Sequence, residues 1–217
     1  MADELGLRER KKLRTGEHIS ETAVALFLRD GFDGVSVADV AAAAEVSKKT
    51  VFNYFPTKED LVFHPLRDHI DEPARVVRSR RPGESPVAAL RRHFLAGLAA
   101  GDPSTGLADY PEFLAFQRMV MAAPSLKLRL MEQWILSEDS LAEALAEVLF
   151  AGDGGVAGDP SRGIVPRALA GQTLAVQRAL TVRNLERMLA RERDPDALAQ
   201  ATAEAELAFG LLAKAFP

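Results

Sequence analysis

Residues 46–61, VSKKTVFNYFPTKEDL, place lysines, an amide and aromatic rings at the spacing of one short helix. If Ser47 caps that helix, residues three and four apart share a face, so Val51 and Phe55 form an apolar seam. The opposite face then carries Lys48, Lys49, Phe52 and Asn53. Ammonium groups on such a face attract anions, of which phosphate is one. The pattern is equally typical of an ordinary surface helix, because a single exposed aromatic residue is common.

The distribution of charge is more informative than its total. The formal net charge of the 217 residues is −4, which by itself does not indicate a nucleic-acid-binding protein. However, five of the seven residues 8–14 are basic, and residues 47–58 contain three lysines and no acid. We therefore expect two positive regions on an otherwise acidic protein. The first of them is either a flexible arm that contacts DNA or a solvated tail.

The elements around this segment follow the order of a helix-turn-helix motif. Apolar residues recur at three and four over residues 15–30, which predicts a helix. Ser36 and Asp39 have the spacing of a capping box and start a second, short helix. A turn over residues 44–46 then leads to the helix that Ser47 begins and that Pro56 ends.

The remainder of the chain predicts helices only. Apolar residues at helical spacing continue to the C-terminus, no segment alternates like a strand, and residues 151–163 form a glycine-rich stretch that we expect to be mobile. No run of about 18 apolar residues is present, so no transmembrane helix is predicted. There are no cysteines, which excludes disulfides and suits a reducing cytoplasm. The expected fold class is all-α.

Residues 17–61 combine an LF…GF ending of the first helix, a small-residue second helix, and the ordered pattern VS, T, F, YF and KEDL. With this combination the segment resembles the TetR family of transcriptional regulators. Beyond residue 61, only the helical layout and the length agree. The resemblance implies a helix-turn-helix DNA-binding domain at residues 1–61, with a flexible basic arm. It also implies a helical ligand-binding and dimerisation domain at residues 62–217, and about nine helices in all.

The resemblance further implies which residues contact double-stranded DNA. These are Ser36, Ser47, Lys48, Lys49, Thr50, Phe52, Asn53, Tyr54 and Lys58. Asn53 would pair with adenine and Phe52 would pack on a thymine methyl group, whereas Tyr54 and Lys58 would reach phosphates. Glu45 stands where the family often has glycine. We therefore expect that turn to be tightened differently, because a non-glycine residue in the left-handed region costs about 1–3 kcal/mol.

The same resemblance implies an effector pocket and a homodimer. The expected pocket residues are Phe94, Phe113, Phe116, Gln117, Met121, Trp134 and Gln172, which favour a small hydrophobic or aromatic effector. By helical spacing alone, most of these residues are also typical of a core. The expected dimer interface is Leu174, Leu180, Leu185, Leu198, Phe209 and Leu212. These stripes fit the core of a monomer as well.

Catalysis and metal binding are not expected. His64 and His69 lie five residues apart, on different faces of a helix, and no phosphate-binding glycine loop or nucleophile elbow is present. We expect no enzyme activity, no cofactor and no membrane partner. Three functions remain: a ligand-responsive repressor on a palindromic operator, a regulator of the same fold that a protein partner controls, and a helical interaction module.

Overall fold

The computed structural model describes residues 6–151, 160–190 and 195–215. In these ranges the chain forms ten α-helices, two 3₁₀ helices and no strand, which confirms the all-α prediction. The α-helices are α1 (Leu7–Asp30), α2 (Val37–Ala43), α3 (Lys48–Tyr54), α4 (Lys58–Phe63), α5 (Glu72–Arg78), α6 (Pro86–Ala100), α7 (Pro111–Ala122), α8 (Pro124–Leu149), α9 (Ser161–Leu189) and α10 (Ala197–Ala215). The 3₁₀ helices are His64–His69 and Pro103–Thr105. Most of the glycine-rich stretch lies outside the described residues.

The tenth α-helix arises where the spacing of Leu61, Leu66 and Ile70 predicts one helix that begins after Thr57, is kinked at Pro65 and ends near Pro73. The chain instead leaves α-helical geometry after Phe63, passes through the first 3₁₀ helix and starts again as α5. Pro65 has no backbone N–H to donate, and Pro73 lies in the first turn of α5, where that donor is not needed. Pro73 therefore helps to begin a helix rather than to end one.

The N-terminal unit consists of residues 6–68 together with Ala115–Glu132. Its core contains side chains from α1 to α4, and residues 115–132 add Val120, Ala123 and Leu126. In α1 the buried residues Ile19, Ala23 and Phe27 repeat at intervals of four, which is why this stripe faces the core. The functional division between residues 61 and 62 stays a prediction.

The C-terminal unit consists of His69–Leu114 and the described residues from Gln133 onward. Its main core joins α5, α6, α9 and α10 to the second half of α8, with the rings of Phe94 and Phe209 5.9 Å apart. A smaller cluster contains Ala108, Phe113 and Leu185.

The second 3₁₀ helix is fixed on α9 by side chains of that helix. Asn184 donates from Nδ2 to the carbonyl of Thr105 at 2.9 Å, and Thr181 donates from Oγ1 to the carbonyl of Ser104 at 3.2 Å. Gly106 follows with a φ of +78° and lies against the backbone of α9. This docking fixes the start of the chain segment that leads to α7.

Candidate nucleic-acid interface

Two capped helices, α2 and α3, form the centre of the candidate interface. Ser36 caps α2 in a capping box with Asp39, as the sequence predicts. Ser47 caps α3 by accepting a hydrogen bond of 3.0 Å from the backbone N–H of Thr50. Each cap satisfies a donor that the first turn would leave unpaired. The start of α3 is therefore fixed by its own sequence.

The turn between α2 and α3 has the geometry that the sequence analysis did not expect. Glu45 has a φ of +55°, so a non-glycine residue occupies the left-handed region. The N–H of Val46 bonds to the carbonyl of Ala41 at 2.9 Å, and that of Glu45 bonds to Ala42 at 3.2 Å. This is the hydrogen-bond pattern of a Schellman motif, in which glycine is the usual residue at that position. The turn is not tightened differently, and Glu45 carries the strain.

The two faces of α3 divide as its periodicity predicts. Val51 and Phe55 are buried in the core of the N-terminal unit. Lys48, Lys49 and Asn53 are exposed, and Phe52 exposes 45% of its surface. The ammonium of Lys48 lies 5.9 Å from the centroid of the Phe52 ring. The described residues of α3 include no acid, so this outward face presents positive charge, an amide and an aromatic ring together.

Three of the predicted DNA-contacting hydroxyl groups have partners within the protein. Ser36 donates from Oγ to Asp39 at 2.6 Å, and the pKa of Asp39 is lowered because the hydroxyl and backbone N–H of Ser36 donate to it. The hydroxyl groups of Ser47 and Thr50 bond to each other at 2.8 Å. A phosphate at Ser36 would lie next to a charged carboxylate, which is unfavourable. These three contacts stay predictions.

Lys58 is engaged inside the N-terminal unit. Its ammonium donates to the carbonyl of Phe32 and lies 4.2 Å from the centroid of that ring. The ring of Phe27 is also near, at 5.4 Å. The sequence analysis missed this role because the partners lie more than 25 positions away along the chain. We therefore do not count Lys58 in the proposed DNA surface.

Tyr54 is half-buried at the end of α3, where its ring centroid lies 6.2 Å from that of Phe55. One edge of the ring faces Gly16, since a Cβ atom added at Gly16 would lie 3.3 Å from Cδ1 of Tyr54. The contact of Tyr54 with phosphate stays a prediction.

The basic run at residues 8–14 is helical, which corrects the expectation of a flexible arm in this stretch. α1 begins at Leu7, eight residues earlier than predicted, and Glu9 lies in its first turn. Lysine, arginine and glutamate are good helix formers, so the helix extends although no core covers this end. The exposed basic side chains of this extension are Arg8, Arg10, Lys11, Lys12 and Arg14.

The seven predicted pocket residues have different surroundings within their own units. Phe94 lies in the main core of the C-terminal unit, Phe113 lies in its small cluster, and Phe116 packs in the N-terminal unit. Arg178 lies 5.1 Å from the ring of Trp134. Gln117 is half-buried, whereas Met121 and Gln172 are exposed. The pocket stays a prediction.

A cavity of about 410 Å³ lies between α8 and α9, and none of these seven residues lines it. Its charged lining residues are Asp139, Glu143, Arg162 and Arg167.

Four of the six predicted interface residues belong to the core of their own protomer. Leu180, Leu185, Phe209 and Leu212 are all buried within the chain. Their burial leaves these side chains little surface for a partner chain, and their assignment to a dimer interface stays a prediction. Leu174 is half-buried and Leu198 is exposed. The periodic stripe therefore marks the inner face of these helices.

The outer face of α10 also carries large apolar side chains. Leu207 and Leu211 expose 67% and 59% of their surfaces and lie one turn apart. Gly210 lies beside them. The sequence indicates this face, because Leu207 and Leu211 do not fall at the helical spacing of the buried residues of α10.

Two histidines hold one carboxylate in the C-terminal unit. Glu72, at the start of α5, contacts Nδ1 of His69 at 2.8 Å and Nε2 of His93 at 3.1 Å. These hydrogen bonds hold the pKa of Glu72 well below its usual range. In the described ranges, no group of three or more histidine, cysteine, aspartate or glutamate side chains is arranged so that it could bind a metal ion. No helix in the same ranges has the length and apolar character needed to cross a membrane.

Comparisons with known proteins give consistent results. Residues 19–64 match the family model described as bacterial regulatory proteins, tetR family. The HTH-type transcriptional regulator TcmR of Streptomyces glaucescens is 30% identical over 151 residues, which cover 69% of this chain and 65% of TcmR. The HTH-type transcriptional repressor DhaR of Mycobacterium sp. (strain GP1) is 28% identical over 129 residues, or 55% of this chain and 61% of DhaR. The chain thus spans slightly less than two thirds of these two relatives.

Solved structures share the fold. A TetR-family transcriptional regulator from Mesorhizobium loti superposes with a TM-score of 0.55 at 17% identity, covering 94% of this chain and 96% of that chain. At this level of identity, the likeness concerns the architecture alone.

Proposed function

Since the chain belongs to the tetR family of bacterial regulatory proteins, we propose that it is a DNA-binding transcriptional regulator of the repressor type that reads its operator with α3. The observation that carries this proposal is the outward face of α3. It combines Lys48, Lys49, Phe52 and Asn53 without an acid, while Val51 and Phe55 hold the helix on its core. A helix of this kind fits the major groove of B-DNA.

The side chains of this face divide into positioning and reading groups. Lys48 and Lys49 contact phosphates or guanine edges, Asn53 pairs with adenine, and the Phe52 ring packs on a thymine methyl group. The basic extension of α1 adds phosphate contacts. Because phosphate contacts release counterions, each one steepens the dependence of affinity on salt.

The regulator acts as a homodimer, since a helix-turn-helix reads a palindrome only when each half-site has its own recognition helix. We place the interface on the outer face of α10, around Leu207 and Leu211. The large exposure of these side chains supports this placement, because monomeric surfaces seldom leave contiguous large apolar side chains uncovered. Gly210 beside them allows a partner helix to approach closely.

The operator is released by a small hydrophobic or aromatic effector that binds the C-terminal unit. Such an effector prefers the conformation that does not bind DNA, and linkage then requires that it lowers the DNA affinity. A second candidate is a regulator of the same fold that a protein partner controls. It is supported by the charged lining of the α8–α9 cavity, which does not suit a hydrophobic effector.

The DNA-binding proposal is tested by fluorescence anisotropy with a duplex that the wild-type protein enriches from random sequence. Binding is measured with excess random competitor over a range of salt concentrations. The double variant Lys48→Ala/Lys49→Ala should lose competitor-resistant binding and flatten the salt dependence by up to about four units, because each protomer of the dimer loses two lysines. Asn53→Ala should instead relax discrimination at one base pair, by about 1–3 kcal/mol.

The matched control is Arg75→Ala/Arg81→Ala, which removes the same charge from exposed sites in the C-terminal unit, away from α10. It should bind like the wild type. If both double variants lost affinity equally, net charge rather than the face of α3 would control binding. If Lys48→Ala/Lys49→Ala bound normally, α3 would not be the reading helix.

The effector class is tested separately by thermal unfolding with a panel of uncharged aromatic compounds and of organic anions. The proposal expects an aromatic compound to raise the melting temperature and to release the duplex. If only the organic anions raised the melting temperature and released the duplex, the proposal of a hydrophobic or aromatic effector would be contradicted.

A further inference from the structure

His64 lies where three elements of the N-terminal unit meet. It follows α4 directly, and its ring meets that of Phe55 edge to face, with centroids 5.1 Å apart and planes at 86°. On the α1 side it faces Gly16, where an added Cβ atom would lie 3.6 Å from Nε2 of His64. The same Cβ atom would lie 3.3 Å from Cδ1 of Tyr54. The imidazole therefore packs between α1 and the C-terminal end of α3, at Tyr54 and Phe55.

Gly16 makes room for this arrangement. It is buried inside a helix of 24 residues, where glycine is a poor choice for helix stability. Any side chain there would enter the space beside the rings of His64 and Tyr54. The close approach of α1 to these two rings explains why a glycine occupies this position.

The surroundings of His64 favour the neutral imidazole. Its Nδ1 atom is buried and has no hydrogen-bond partner in the protein. Burial lowers the pKa of His64, and Arg67 on the following 3₁₀ helix lowers it further, whereas Glu17 on α1 and Asp68 oppose the shift. From α3 the nearby titratable group is the phenol of Tyr54. A proton on Nδ1 would thus create a charged donor without an acceptor in an apolar contact.

We propose that His64 is a positioning residue that holds the end of α3 against α1 only while its imidazole is neutral, so that acid loosens α3 and weakens specific DNA binding. The proposal rests on the proposed role of α3 as the reading helix. The neutral ring fills the space between Gly16 and Phe55. The protonated ring must turn its Nδ1–H toward water. This movement removes its packing contacts beside Tyr54 and Phe55.

The direction of the pH dependence follows from linkage. Because the folded state holds His64 with a lowered pKa, its contribution to stability is present above the pKa of about 6.5 of an unfolded histidine. That contribution is lost as the pH falls below this value toward the lower pKa of the folded state. The window of interest therefore lies below pH 6.5.

The first measurement is an NMR titration of the full-length protein with ¹³C-labelled histidine. The protein contains four histidines, and the His64 signal is assigned by its loss in His64→Phe or, if that variant does not fold, in His64→Asn. We expect His64 to titrate below the pKa of about 6.5 of a histidine in an unfolded chain. A midpoint at or above that value would overturn the proposal.

The second measurement is the affinity for the enriched duplex at pH 7.5 and pH 5.5. His64→Phe keeps an aromatic ring that cannot be protonated, and His18→Phe removes an exposed histidine of the same unit. Acidification should weaken binding by the wild type and by His18→Phe at least about threefold more than binding by His64→Phe. Equal pH profiles for wild type and His64→Phe would overturn the proposal.

A DNA-free measurement separates this proposal from the proposed function. Hydrogen exchange of the α3 amides at pH 5.5 should be slower in His64→Phe than in the wild type, with no difference at pH 7.5. If this holds while Lys48→Ala/Lys49→Ala binds DNA normally, the positioning role stands and α3 is not the reading helix. If exchange is the same in both proteins at both pH values, His64 does not position α3.

Discussion

Replacing Gly106 by alanine should unfold the C-terminal unit far more readily than the same change at other left-handed glycines. An added Cβ atom would lie 2.3 Å from the carbonyl oxygen of Thr181 and 3.2 Å from the backbone nitrogen of Leu185. These atoms belong to the backbone of α9, so no side-chain rotation relieves the clash. The second 3₁₀ helix must therefore move away from α9.

The expected loss of stability in Gly106→Ala combines three destabilising contributions with one that partly offsets them. A forced repacking costs about 1–3 kcal/mol, and alanine at a φ of +78° costs about 1–2 kcal/mol. Displacement also weakens the hydrogen bonds from Asn184 and Thr181, worth about 1 kcal/mol each. The unfolded chain of the alanine variant is less flexible, which returns about 0.4–1 kcal/mol. We expect a net loss of about 3 kcal/mol or more in the free energy of unfolding.

Two glycines of the same unit provide matched controls. Gly83 and Gly101 have φ values of +76° and +67°, and an added Cβ atom would have no neighbour within 4 Å at either site. Gly83→Ala and Gly101→Ala should therefore cost only about 1 kcal/mol each. Urea unfolding followed by far-UV circular dichroism, at one protein concentration, measures all three variants. A loss at Gly106 no larger than at the controls would refute the argument from close approach.

Three other changes test single features. Glu45→Gly should raise the free energy of unfolding by about 0.5–1 kcal/mol in urea titrations, because glycine relieves the left-handed strain; a loss of stability would mean that the Glu45 side chain contributes more than the strain costs. Lys58→Met should lower the free energy of unfolding by about 1–2 kcal/mol, through loss of the Phe32 contacts, and leave the salt dependence of DNA binding unchanged. A salt slope flatter by about two units, one for each protomer, would restore Lys58 as a phosphate contact. The stability advantage of wild type over Glu72→Gln should begin to decrease as the pH falls below about 4.3, because the unfolded carboxylate then binds the proton that the folded one resists. Thermal unfolding between pH 3 and 7 measures this difference, and a constant advantage would contradict the role of the two histidines.

Local patterns predicted the interface well because local forces build it. The caps at Ser36 and Ser47 and the seam of Val51 and Phe55 depend on residues three or four apart, and all of them are confirmed. The placement of Glu45 was also identified, although the turn accommodates the strain instead of avoiding it.

Features that depend on distant residues were not predicted. Periodicity shows that a helix has an apolar face but not which core that face meets, so the membership of residues 115–132 in the N-terminal unit was missed. For the same reason, the spacing of Phe209 and Leu212 did not show that both are buried within their own chain. The partners of Lys58 could not be found from spacing, because a long side chain reaches backbone far away in sequence.

The pairing of Trp134 with Arg178 makes the chain its own optical probe. The protein contains one tryptophan, so all of its indole emission comes from a single point on α8. A guanidinium on α9 lies 5.1 Å from that ring, and the emission of an indole responds to a nearby charge. Any event that changes the spacing of α8 and α9 therefore alters the emission spectrum of the unlabelled protein. An engineered dye is not needed to follow that movement in real time.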